Sequence, residues 1–204
     1  MGLFDIFKRK PPIRDSAALG DFIDANAALL TQKGIYEYSR ARAGHYSKVL
    51  FSEQAFKTAV DESRWRAYPL GLAMVAEVAD SVLHGERGAH RQQGLEALRA
   101  LVLSVFDRYP TPPSLGVETW RLLRAELERR LKLIGTHPPK PAKDMPAPFA
   151  RDYFALMPIH EKLRGNDYPT MASYLSIALT TIHDELSARL DRTAFAQPEP
   201  VEDS

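Results

Sequence analysis

Apolar residues recur every three or four positions through most of this chain, the spacing that places them on one face of an α-helix. The clearest case is residues 168–183, which contain no charged side chain although charged residues make up 26% of the sequence. The apolar stripe of this segment consists of Met171, Leu175, Ala178, Ile182 and Leu186. A helix with so little polar surface is covered on most sides. We therefore predict that residues 168–190 form the most buried long helix of the fold.

Glycine, proline and capping residues divide the rest of the chain into further predicted helices. Four are predicted before residue 90: from Asp15 or Ser16 to Gly34, over 35–51, from a cap at Ser52 toward Trp65, and from Pro69, which begins or kinks a helix, to Gly85. Two more carry apolar stripes over 95–109 and 120–134, and a short one covers 149–156. Since alternating strand-like patterns are missing, the sequence predicts an all-α, irregular single-domain helical bundle of about six to eight helices.

Residues 135–148 contain five prolines in fourteen positions, too many for a helix, and predict an extended crossover loop. We expect one domain over 13–196, preceded by an amphipathic basic segment at 1–12 and followed by an acidic disordered tail at 197–204. A chain of 204 residues is long enough for one sizeable core.

Composition excludes several classes of function. The net charge of +1 provides no overall attraction to nucleic acid, and the absence of cysteine excludes disulfides, thiolate nucleophiles and zinc–thiolate sites. No apolar run reaches the roughly 20 residues that span a bilayer. These features predict a cytoplasmic protein with no bound cofactor and no nucleic-acid partner, and they make no prediction of oligomeric state.

Sequence motifs for phosphate-binding loops and for common serine hydrolases are missing. His160 and Glu161 begin a zinc-protease motif, but Arg164 stands where its second histidine belongs, so we predict no metal site. Glu77, Asp80 and His84 share a helical face at a spacing that could hold a cation with help from another helix. The favoured interpretation is that they form the solvated side of an otherwise apolar helix.

Arginine and aromatic side chains lie close together in two segments of the N-terminal half: Tyr38, Arg40, Arg42, Tyr46, Arg64 and Trp65. A guanidinium over an aromatic ring is favourable by roughly 0.5–1 kcal/mol, and the same groups recognise phosphate, carboxylate or stacked bases. Half-buried tyrosines covered by arginines are the commoner explanation. The alternative is one surface that binds a protein or a small anionic ligand.

Hydroxyl side chains form a second stripe beside the apolar one on the 168–190 helix. Thr180, His183 and Asp184 gather a hydroxyl, an imidazole and a carboxylate within about one turn, and Ser176 lies farther along the same stripe. Helix packing is the favoured role of such small residues. The alternative is an esterase-like hydrolase with a non-standard site at Ser176, Thr180, His183 and Asp184, in which His183 acts as general base.

Residues 1–10 combine Leu3, Phe4, Ile6 and Phe7 with three consecutive cations at 8–10. Such a segment can bind weakly to an anionic membrane surface, where each basic residue contributes about 1 kcal/mol. The sequence as a whole therefore predicts a soluble helical binding or interaction protein. The alternatives are the hydrolase and a peripheral membrane adaptor that uses residues 1–10.

Overall fold

The computed structural model describes residues 10–84 and 90–195. Its α-helices are α1 (Ser16–Ala43), α2 (Ser47–Leu50), α3 (Gln54–Leu83), α4 (Arg91–Phe106), α5 (Val117–Leu131), α6 (Ala150–Ala155), α7 (Glu161–Arg164), α8 (Tyr168–Arg189) and α9 (Arg192–Phe195). Within these residues β pairing is limited to one isolated bridge between Ile13 and Leu190. The predicted all-α helical bundle is confirmed.

Helices α1 and α3 form the most extensive helix pair among the described residues. The predicted helix end at Gly34 was wrong, because α1 continues through it to Ala43. A Cβ atom at Gly34 would overlap the hydroxyl of Tyr153 and would lie 3.1 Å from Tyr174 Cε1. The glycine therefore allows close approach of the two tyrosines, both of which donate hydrogen bonds to the Leu30 carbonyl oxygen.

The predicted helix start at Pro69 was also wrong, since α3 runs unbroken from Gln54 to Leu83 with Pro69 inside it; a kink at Pro69 stays a prediction. An interior proline costs a helix about 3 kcal/mol through a lost hydrogen bond and a steric clash. Every residue from Ala67 to Ala76 is buried. Burial of this continuous segment offsets the cost of the proline.

The most buried long helix is α3, and the prediction that α8 would hold this place was wrong. In α8 the buried side chains form one stripe: Met171, Leu175, Leu179, Ile182 and Leu186. The prediction thus identified four of these five and named Ala178 in place of Leu179. On the other side of α8, Ile177 is 70% exposed. This side of α8 can be exposed without charged residues, because Thr180 and Thr181 donate their hydroxyl protons to backbone carbonyls one turn earlier.

The proline-rich loop over residues 135–148 connects α5 to α6, and its one helical element is a short 3-10 helix, Ala142–Asp144. Arg99 of α4 fixes the start of this crossover by donating to the carbonyl oxygens of Leu131 and Ile134 at 3.1 and 3.2 Å. Ser176 of α8 fixes its far part by donating to the Lys143 carbonyl oxygen at 2.8 Å. The chain is therefore held just before the loop and again at Lys143 inside it by side chains of other helices.

Two predicted features lie outside the described residues: the amphipathic segment at 1–12, apart from residues 10–12, and the acidic tail over 197–204. Lys10 Nζ lies 2.9 Å from Glu185 Oε1 of α8. Among the residues described, every helix is too short or too polar to cross a lipid bilayer.

Candidate functional site: a cavity beneath the proline-rich loop

A cavity of about 390 Å³ lies between α3, α5 and the loop over residues 135–148. Its apolar lining includes Leu133, Ile134, Met145 and Phe149, together with prolines of the loop. Its charged lining consists of three carboxylates and three cations: Glu77, Asp80, Asp152, Arg129, Arg130 and Lys140. The cavity therefore offers both signs of charge around an apolar interior.

The wall formed by α3 carries Glu77 and Asp80, one turn apart. The expectation that these residues form a solvated side of the helix was wrong, since Asp80 is only 5% exposed and the Glu77 side chain 18% exposed. Both face cations that reach them from other parts of the fold. Lys140 Nζ of the loop lies 2.8 Å from Glu77 Oε1, and Arg91 Nη2 of α4 lies 3.5 Å from Asp80 Oδ2.

Arg91 connects the end of α3, the start of α4 and the start of the loop. Besides pairing with Asp80, its guanidinium contacts His84 Nδ1, and it lies 3.3 Å from the position a Cβ would take at Gly135. Among the described residues, no three histidine or carboxylate side chains are grouped so that they could hold a metal ion. The geometry assigns Glu77, Asp80 and His84 to ion pairing and hydrogen bonding with cationic side chains.

The wall formed by α5 carries Arg129 and Arg130. Arg130 donates to Glu126 at 2.7 Å and to Asp152 at 2.6 Å, and its guanidinium lies 5.5 Å from the centre of the Phe149 ring. Arg129 donates to both carboxylate oxygens of Glu126 at 2.7 Å. The hydrogen bond from Arg129 is the main reason why the pKa of Glu126 is lowered, with Arg130 adding to the effect. Both guanidinium groups are thus paired with carboxylates at fixed positions.

The four residues of the predicted hydrolase site lie on α8, and none of them lines this cavity. Ser176 donates its hydroxyl to the Lys143 carbonyl oxygen and Thr180 donates to the Ser176 carbonyl oxygen. His183 Nδ1 lies 3.4 Å from Asp184 Oδ1, and the Asp184 side chain is 75% exposed. The structure brings the imidazole and the carboxylate together, but it directs both hydroxyl protons toward backbone carbonyls.

Two members of the predicted arginine–aromatic surface meet at Asp167. The Tyr38 hydroxyl donates to Asp167 Oδ2 at 3.0 Å, and Arg42 Nε lies 3.1 Å from the same oxygen. Arg42 also donates to the Leu163 carbonyl oxygen. Burial, together with the hydrogen bond to Asp167, raises the pKa of Tyr38 to about 12. This pair joins α1 to the turn before α8.

The other members of that predicted surface occupy different surroundings. Trp65 packs edge-on against Tyr109 and Trp120, with ring centroids 5.4 and 5.8 Å away. Arg64 lies 3.8 Å from Asp61 on its own helix. Arg40 is exposed and Tyr46 is 78% exposed. The contacts of Arg42 and Trp65 therefore belong to two separate clusters, and ligand binding by any of the six residues stays a prediction.

Sequence reasoning missed the cations of the cavity, Arg129, Arg130 and Lys140. One signal was available, because Glu77 and Asp80 interrupt an otherwise apolar helix and buried carboxylates need cationic partners. Comparisons with protein-family models, with curated proteins and with solved structures found no match to this chain.

Proposed function

We propose that this protein binds a small charged molecule in the cavity beneath the loop over residues 135–148. The observation that carries the proposal is the position of Glu77 and Asp80 on the cavity wall of the most buried helix. Taking carboxylates out of water is costly, and a buried ion pair is often no more stabilising than well-packed apolar residues. Departures from apolar core packing of this kind are expected at functional sites.

The size and lining of the cavity support the same proposal. Ligand sites in proteins commonly have volumes of about 300–1,000 Å³ and a largely apolar lining with a few polar groups that fix orientation. This cavity, at about 390 Å³, lies at the small end of that range. The charges on its wall balance, so a ligand with one charged group on an apolar body suits it better than a highly charged molecule.

The loop that covers the cavity is conformationally restricted. Proline fixes one backbone dihedral angle, and the five prolines of residues 135–148 restrict the loop before any ligand arrives. The hydrogen bonds from Arg99 and Ser176 anchor the chain just before the loop and at Lys143 inside it. A site ordered in advance loses less entropy on binding, which favours recognition of small ligands.

A fragment screen tests the proposal directly. Small amines, acids, alcohols and zwitterions would be screened for a rise in melting temperature, and hits would be titrated by calorimetry. Ser81→Phe adds bulk to the cavity wall, while Ser104→Phe makes the same change at an exposed position of α4.

Ligands that use the cavity should bind the wild type and the Ser104→Phe variant and should lose affinity for Ser81→Phe. Circular dichroism and melting curves of both variants confirm that they are folded. Hits that bind Ser81→Phe unchanged, or a screen without any hit, would refute the cavity as the binding site.

A further inference from the structure

We infer that Glu77 forms a subsite for the primary ammonium group of the ligand, and that Lys140 occupies this subsite as an internal substitute. This inference rests on the proposed function and specifies its ligand class: an alkylamine or arylalkylamine, or the amine end of a zwitterion. Most charged side chains of the cavity are fixed by contacts with other parts of the fold, whereas the Lys140 side chain can rotate away.

The Lys140 side chain is itself a primary alkylammonium ion placed against the Glu77 carboxylate, at 2.8 Å. Its backbone lies between Pro139 and Pro141, which restrict it, whereas its side chain is a flexible four-carbon stem. The Lys140 side chain is 36% exposed and that of Glu77 is 18% exposed. Lys140 can therefore rotate toward solvent, while Glu77 stays fixed on α3 and keeps its need for a cation.

At Asp80, an ammonium group cannot replace the present cationic partner in the same way. Its cationic neighbour Arg91 is a residue of α4 that also contacts His84, and the side chains of Asp80 and Arg91 are 7% and 26% exposed. Displacing Arg91 would disturb the packing of α3 against α4. Glu77 is therefore the carboxylate of this wall at which an ammonium group can replace the present partner by rotation of one side chain.

The cations on the wall formed by α5 are harder to separate from their carboxylate partners. Arg129 and Arg130 both donate to Glu126, which lies three and four residues earlier on the same helix, and Arg130 also donates to Asp152. An anionic ligand would have to compete with carboxylates that are tethered beside these guanidinium groups. This asymmetry favours a cationic ligand, whose apolar body would face Met145 and Phe149 on the cavity lining.

The test uses three molecules of the same length that differ in charge: hexylamine, hexanol and hexanoate. Each is titrated into the full-length protein by saturation-transfer NMR at low ionic strength. Hexylamine should bind, and it should bind at least about tenfold more tightly than the other two, because a charge-assisted hydrogen bond to a partly buried carboxylate is the stronger kind.

Two variants should change the affinity for hexylamine in opposite directions. Glu77→Gln removes the carboxylate and should weaken binding about tenfold or more. Lys140→Met removes the internal competitor and should strengthen binding about twofold to fivefold, the range expected for loss of a partly exposed ion pair. Lys132→Met and Glu128→Gln remove the two partners of an exposed ion pair at the C-terminal end of α5 and serve as matched controls that should leave the affinity unchanged.

Opposite signs for the two variants support the inference. Weaker hexylamine binding by Lys140→Met, or unchanged binding by Glu77→Gln, would overturn it. Preferential binding of hexanoate in the cavity would overturn the ammonium subsite while leaving the proposed function intact, whereas failure of every screened fragment would remove the proposed function itself. If Glu77→Gln does not fold, the Lys140→Met variant still decides the question, since its side chain is partly exposed on the loop.

Discussion

Replacing Gly34 by alanine sets two effects on α1 against each other. Gly34 lies inside this long helix, where alanine is favoured over glycine by about 1 kcal/mol. Helix propensity alone therefore predicts a more stable protein. The position is also buried against Tyr153, which is fully buried, and against Tyr174.

The packing effect should be the larger of the two. A Cβ atom at position 34 would overlap the Tyr153 hydroxyl and would lie 3.1 Å from both Tyr153 Cζ and Tyr174 Cε1. Inserting a methyl group into a well-packed core costs about 1–3 kcal/mol, and the overlap with a rigid ring places this case near the upper end. After the gain in propensity, we expect Gly34→Ala to lower the free energy of unfolding by about 2 kcal/mol.

A double-mutant cycle identifies the cause. Tyr153→Phe removes the overlapping hydroxyl and one hydrogen bond to Leu30, at a cost of about 1 kcal/mol alone, since Tyr174 still donates to the same carbonyl. The pair Gly34→Ala with Tyr153→Phe should be more stable than the sum of the single effects predicts, by about 1 kcal/mol or more. Urea unfolding of the four proteins measures this coupling. A stabilised Gly34→Ala protein, or strictly additive effects, would refute the packing of α1 against Tyr153.

Two further predictions concern the cavity loop and the aromatic cluster. Gly135→Ala should destabilise the protein by about 1–3 kcal/mol more than Gly44→Ala in urea unfolding. Both glycines have positive φ, but a Cβ at Gly135 would lie 2.6 Å from a Leu95 methyl group, whereas nothing lies within 4 Å at Gly44; equal costs would contradict this account. Burial and a hydrogen bond to a carboxylate of α1 raise the pKa of Tyr68 far above its ordinary value of 10.0. The stabilisation from keeping Tyr68 neutral is complete below pH 10 and is lost above it, by up to about 1.4 kcal/mol per pH unit. In urea unfolding across this pH range, Tyr68→Phe should make the alkaline decline less steep by the share of one group, since buried Tyr153 still contributes, while the same change at exposed Tyr46 should not alter it.

Local patterns predicted those parts of the fold that depend on neighbours in sequence. The helices α4, α5 and α8 follow from apolar spacing, because each has one buried stripe; α4 and α5 end near a proline or glycine, and α8 begins with Pro169 in its first turn. The continuity of α1 through Gly34 could not be predicted in this way. From the sequence alone, a glycine that ends a helix cannot be distinguished from one that leaves room for a tyrosine distant in sequence. Only the position of Tyr153 in the folded protein distinguishes them.

The wrong prediction that α8 is the most buried long helix also has a physical explanation. Residues 168–183 lack charge, but the hydroxyl groups of Thr180 and Thr181 are satisfied by the backbone of their own helix, so this surface tolerates exposure. Glu77 and Asp80 carry charge and are nevertheless covered, because Lys140, from a loop more than fifty residues later in the sequence, pairs with Glu77, and Arg91 of α4 pairs with Asp80. The pattern of α3 alone does not contain these two contacts, so it could not predict that its charged side chains are covered.

The central claim is that the cavity beneath the proline-rich loop receives a small ammonium ligand at Glu77. Titration of the isotope-labelled protein with hexylamine, followed through its backbone amide resonances, tests this most directly. The account predicts saturable shifts that are largest at Glu77, Ser81 and Lys140 and that require about tenfold more hexylamine, or more still, in Glu77→Gln. Shifts centred on residues 180–184 of α8, or changes that never saturate, would contradict it.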